Sequence, residues 1–261
     1  MKKILATVLA LALLTGVAAL ACADGILRVG VKQDLYGFSL YDQMTGEYAG
    51  FEVDLANKLA EALGYDEVDL TTVTAATRGQ MLDNDELDIV VATFTINDER
   101  KLSWDFSTPY YMDAVSVLVE DSSGITDLEG LKGKVVGVST GSNSARALAT
   151  AMAEAGVIDA FDMDTFEIDT FNAGVSFKQF DDYPAISIAL SADDVNAFCV
   201  DKSILANYKN TGRSFIDAEF APQSYGVATK KGSELSAKID ALIVEWLGDG
   251  TIDAMVAEWG I

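Results

Sequence analysis

Short apolar runs that stop at a polar or charged residue recur along this chain, and stretches of helical periodicity separate them. Ile26 to Val31 stops at Lys32, Val68 to Val73 leads into TAATRG with Arg78, and Glu86 to Phe94 delivers ATFTINDER, from Ala92 to Arg100. Between the first two lies GFEVDLANKLAEALG, where Leu55, Leu59 and Leu63 share one helix face and Gly64 supplies the stop. Strand alternating with helix specifies an α/β fold with a mainly parallel sheet. Such sheets bind ligands at the carboxyl ends of their strands. Thr93, Thr95 and Arg100 fall there. Freed N–H groups, hydroxyls and one guanidinium fork suit a small carboxylate, although the same residues also suit a plain strand end with a surface arginine.

The pattern restarts near residue 114. WDFSTPYY, Trp104 to Tyr111, precedes a β-type run from Ala114 to Val119. A strand from Val135 to Ser139 then leads into TGSNSARALATAMAEAG, where Gly141, Ser142, Asn143 and Ser144 open an amphipathic helix. A Ser or Asn there caps the helix, and the exposed N–H groups attract an anion. Strands are expected at Phe166 to Phe171 and Val195 to Val200, with a helix from about Tyr183 to Leu190 between them. Asp201 ends the second strand, a position for a ligand contact or for the cap of a following helix. The tail carries a strand at Tyr225 to Thr229 and helices at about Ser233 to Leu247 and Thr251 to Trp259.

Composition removes several function classes. The 261 residues contain no histidine, which excludes imidazole triads and histidine metal sites, and no cysteine cluster replaces them. Neither cofactor nor metal is expected. A net charge of −23 argues against nucleic acid. Lys2 and Lys3, the apolar run Ile4 to Leu20 and small residues through Ala23 form a secretory signal, residues 1–23, which ranks above a membrane anchor. Cleavage after Ala23 discards Cys22, whereas cleavage after Ala21 leaves Cys22 first, as in a lipoprotein. The first is preferred, because structure is expected from near Ile26. Cys199 then has no intrachain partner and reads as a buried small hydrophobe.

GFEVDLANKLAEAL from Gly50 to Leu63, then TFTINDER, FSTPYY, VGVSTGSNS, the strand ending in Asp201 and SYGVATKK resemble, in order, the bacterial extracellular solute-binding proteins of family 3. These are polar amino-acid receptors of ABC importers. The resemblance implies a periplasmic-binding-protein type II fold, two α/β lobes joined by two crossing strands. Residues 24–110 with 229–261 would form lobe one and 111–228 lobe two, hinged near 110–114 and 225–229. It implies that Arg100 grips the ligand's α-carboxylate with Thr95 and the helix start at Asn143 and Ser144, and that Asp201 accepts from the α-ammonium. Asn143 stands where Thr or Ser is commoner.

GVK, TRGQMLDN and DYPAISIAL are most similar to the aspartate/glutamate receptors of that family. By that likeness Lys32, Arg78, Thr93 and Tyr183 surround a second carboxylate, and glutamine is the alternative ligand. The implied protein is an exported monomer, periplasmic or tethered through Cys22, that binds aspartate or glutamate and delivers it to a membrane ABC permease. A dehydratase-type enzyme is the rival class and a surface adhesin a third. No second feature supports catalysis.

Overall fold

A computed structural model describes residues 25–261; the signal segment and Cys22 lie outside the described residues. The first sheet has the order β5-β1-β6-β14-β7, built from β5 (Glu67–Thr72), β1 (Ile26–Val31), β6 (Ile89–Val90), β14 (Ala228–Lys230) and β7 (Trp104–Phe106). β1 runs parallel to β5 and β6, while β14 is antiparallel to both its neighbours. In the second sheet β9 (Val135–Ser139) lies between β10 (Ser176–Phe180) and β11 (Ala197–Asp201), parallel to both. β8 (Tyr111–Glu120) pairs antiparallel with β11, β12 (Arg213–Phe215) and β13 (Phe220–Tyr225). A small antiparallel sheet, β2 (Asp34–Leu35), β3 (Ser39–Asp42) and β4 (Glu47–Ala49), precedes the first helix. The chain thus leaves the first sheet after β7 and returns to it at β14.

Helix α1 (Phe51–Leu63) shows how pattern becomes position. Phe51, Leu55, Ala56 and Leu59 are fully buried on one face, each large side chain contributing about 1.5–3 kcal/mol. α1 packs on β1 and on the tail helices α7 (Glu234–Gly248) and α8 (Thr251–Trp259), with Trp259 Nε1 donating to Asp54 Oδ2 at 2.7 Å. No side chain caps its start. The Phe51 and Glu52 N–H groups donate instead to the carbonyls of Gly37 and Phe38, both at 2.9 Å. Gly50 makes that approach possible, since its φ is 145° and a Cβ would sit 2.2 Å from the Phe38 oxygen. This docking turns Glu52 into the interior.

Three expected elements differ. Phe166 to Phe171 is not a strand: a single 3₁₀ turn, Met163–Thr165, precedes it, and the strand comes later as β10. The reason is packing, because Phe161, Phe166 and Phe171 stack on one another with centroids 4.9–5.7 Å apart and bury edges rather than alternate across a sheet. The run to Phe94 keeps only Ile89–Val90 as strand, since Thr93 takes a left-handed φ of 45°. Tyr225 to Thr229 is divided between β13 and β14 by Gly226, whose Cβ would lie 2.7 Å from Ile96.

Candidate functional site

The residues singled out above converge between the two sheets. Arg100 belongs to the short helix α3 (Asp98–Ser103), whose cap Asn97 accepts from the Arg100 N–H at 2.8 Å. Its guanidinium donates to the Thr95 carbonyl at 2.8 Å and, across to the second sheet's loop, to the Gly141 carbonyl at 3.3 Å. Burial and the neighbouring Arg78 charge push its pKa down, yet a guanidinium stays ionised, so the strain appears as demand for an anion. Gln223, on β13 and buried, accepts from Thr95 Oγ1 at 2.7 Å and from Asn143 Nδ2 at 3.1 Å. Asn143 does not cap helix α4 (Ser144–Glu154) with its side chain; its Nδ2 donates to Gln223 instead. Ser144 opens that helix, fully buried.

Arg78 begins helix α2 (Arg78–Asp83) and is 3% exposed. Nη1 donates to the Ala92 and Thr93 carbonyls at 2.6 and 3.2 Å, and the guanidinium lies 3.8 Å over the Phe94 ring. Phe94 also lies 5.0 Å from the Arg100 guanidinium, so one ring is within cation–π range of both cations. Lys32, at the end of β1, holds its ammonium 4.6 Å from the Tyr183 ring centre. Burial lowers its pKa to about 8, opposed chiefly by Asp34, which is half-buried. Tyr183 opens helix α5 (Tyr183–Ser191) behind Asp182, which accepts from the Ala185 N–H.

Asp201 ends β11 and is buried, with no side-chain cap bond to the short helix α6 (Lys202–Ala206) that follows. Its Oδ2 accepts from Tyr225 Oη at 2.6 Å, and the same hydroxyl lies 3.1 Å from Asp113 Oδ2. Burial raises the Asp201 pKa to about 7; the Tyr225 bond lowers it and the Asp113 charge adds to the rise. Three residues here escaped the sequence reading: Gln223, Tyr225 and Glu52. Glu52 Oε1 accepts from the Thr93 N–H at 2.6 Å and from Tyr110 Oη at 2.5 Å, and burial raises its pKa. The only signal for Glu52 was its place in the first turn of α1, which an acid occupies on dipole grounds alone.

Among the described residues four buried side-chain polar atoms have no hydrogen-bond partner: Glu52 Oε2, Arg78 Nε, Thr93 Oγ1 and Ser144 Oγ. Three belong to residues chosen from sequence. Buried polar groups are rarely left so, and their concentration here marks a surface complementary to a polar molecule. A groove of about 1030 Å³, lined by Arg100, Gly141, Asn143 and Arg146 among others, runs beside this interior, but Lys32, Arg78, Thr93, Tyr183 and Asp201 do not line it.

The pattern that defines the bacterial extracellular solute-binding proteins, family 3, matches residues 27–261. The chain belongs to this family. It is 33% identical over 241 residues to the ABC transporter glutamine-binding protein GlnH of Bacillus subtilis (strain 168), covering 88% of this chain and 79% of that one. It is 30% identical over 274 residues to the L-cystine-binding protein TcyJ of Escherichia coli (strain K12), covering 99% and 95%. An ancestral arginine-binding protein bound to arginine superposes with a TM-score of 0.75 at 30% identity, covering 90% of this chain and 98% of that one. The fold is that of the two-lobed type II binding proteins, and the family is one of binding proteins rather than enzymes. The ligands in these names differ in side-chain charge, so the choice of side chain rests on the pocket.

Proposed function

We propose that this family member is the receptor of an amino-acid ABC importer selective for a carboxylate side chain, aspartate or glutamate. The observation that carries the reading is a charge imbalance. Lys32, Arg78 and Arg100 meet in one interior, and none forms an ion pair with another described residue. Glu52 and Asp201 are the buried carboxyls beside them, and burial disfavours the charged form of each. Asp34 shares its charge with water and offsets the excess incompletely. A zwitterion adds no net charge, whereas an acidic side chain supplies the missing anion, and an unpaired buried charge is costly.

In this reading Arg100, the Thr95 N–H and the start of α4 at Asn143 and Ser144 receive the α-carboxylate. Asp201 accepts from the α-ammonium; Lys32, Arg78, Thr93 and Tyr183 face the side chain. We assign residues 24–110 with 229–261 to one lobe and 111–228 to the other, closing about 110–114 and 225–229 on a ligand that touches both. The monomer works outside the cytoplasmic membrane, periplasmic or tethered through Cys22, and presents its closed form to the permease. A thermal-shift panel of the twenty amino acids on ligand-stripped protein tests this: aspartate and glutamate should raise the melting temperature most, and a win by a cationic amino acid would sink the reading. Glutamine is the second reading, favoured by one observation: Glu52 Oε2 is an acceptor in want of a donor.

A further inference from the structure

Three of the four unpartnered buried atoms meet at one residue. Glu52 bonds the Thr93 N–H, Arg78 bonds the Thr93 carbonyl, and Thr93 carries the third. Glu52 and Arg78 are thus both anchored on the Thr93 backbone, and each keeps one polar atom, Oε2 and Nε, unpartnered beside it. We propose that Glu52 is a specificity-determining residue at the side-chain end of the pocket, its free oxygen choosing between a carboxamide and a carboxylate side chain. This rests on the proposed function, that the pocket holds a polar amino acid by these residues.

Glu52 Oε1 already accepts two hydrogen bonds, from Thr93 N and Tyr110 Oη, so a proton on this carboxyl resides on Oε2. On this proposal a protonated Oε2–H joins Arg78 Nε–H as a second open donor, matched to the two oxygens of a ligand carboxylate. Without the proton, Oε2 is an open acceptor, matched together with that donor to the N–H and C=O of a carboxamide. Two ionised carboxylates cannot meet there without repulsion. Burial, which favours the protonated form of Glu52, sets the balance against the Tyr110 and Thr93 bonds and the charges of Lys32 and Arg78. One pocket therefore serves both ligands, with the Glu52 proton as selector.

Binding of L-glutamate and L-glutamine by calorimetry, taken as the ratio of their affinities, tests this, because the α-groups common to both cancel. In the wild type the glutamate/glutamine ratio should fall at least tenfold as pH rises from 5.5 to 8. Glu52→Gln places a permanent N–H₂ donor at the Oε2 position, so its ratio should favour glutamate at least tenfold over the wild type at pH 8 and stay flat below pH 7.5. The Lys32 titration, centred near 8, persists in that variant and is thereby told apart. Tyr110→Phe removes one bond to Oε1, so the pH at which the ratio changes should move upward. A pH-independent wild-type ratio, or equal weakening of both ligands by Glu52→Gln, overturns the proposal and leaves the receptor reading standing. If the wild type binds neither ligand, both fall. Should Glu52→Gln fail to fold, the wild-type and Tyr110→Phe profiles decide.

Discussion

Asp201 keeps its proton up to about pH 7 because burial penalises its charge. The native state therefore holds a proton that the unfolded chain releases near pH 4, and Asp201 withdraws stability as pH rises from about 4 to 7. On the proposed site a bound ammonium offsets that loss. The ligand-induced shift in melting temperature should thus be larger at pH 8 than at pH 5.5, and Asp201→Asn should abolish the difference along with most binding. On the proposed site Arg100→Ala would leave the ligand carboxylate facing no guanidinium and should weaken every amino acid by roughly 100-fold, about 3 kcal/mol, measured by calorimetry. An unchanged affinity would remove Arg100 from the site. Arg78→Ala should weaken acidic ligands selectively. Arg100, Arg78, Lys32 and Asp201 were legible in the sequence because each closes an apolar run or opens a helix. Glu52 and Gln223 were not, since an acid in a helix and an amide in a strand acquire their meaning from what burial brings against them.

At the level of elements, amphipathic spacing located α1, α4, α7 and α8, because an apolar face is written directly in the residue order. The strands were less secure where aromatics crowd. Phe166 and Phe171 carry β propensity, but their rings serve a cluster under a loop. The junction between β2–β3 and α1 is the element on which the site most depends, since Gly50 lets two loop carbonyls receive the helix start and so aims Glu52 at Thr93. Gly50→Ala should cost about 1–3 kcal/mol, because its Cβ meets backbone that cannot yield, and urea denaturation should show it. It should also weaken binding beyond the stability loss, as Glu52 moves with the helix. A neutral result would mean that the loop relaxes at no cost.

Across the whole molecule the two sheets are joined over the site by direct contacts: Arg100 to Gly141, the Gln223 bridge from Thr95 to Asn143, and the Glu99–Arg146 ion pair at 3.1 Å. The ion pair is half exposed and worth about 0.2–1 kcal/mol. Arg146→Ala should therefore change affinity by no more than about fivefold, and a larger loss would make this pair a latch. The two-lobed plan was legible from the restart of the strand pattern near residue 114. The return of the tail to the first sheet came only from the resemblance, because no local pattern says which sheet a strand joins.

That return has a consequence in time. β14 lies between β6 and β7 and is among the last segments to leave the ribosome, whereas every strand of the second sheet precedes it. A nascent chain has the second sheet complete while the first is still split in two, its open edges able to pair wrongly. A chain truncated at residue 226 should give the same result at equilibrium, with hydrogen exchange protecting 111–225 and leaving 26–106 exposed. Uniform protection would show that the first sheet closes without its last strand.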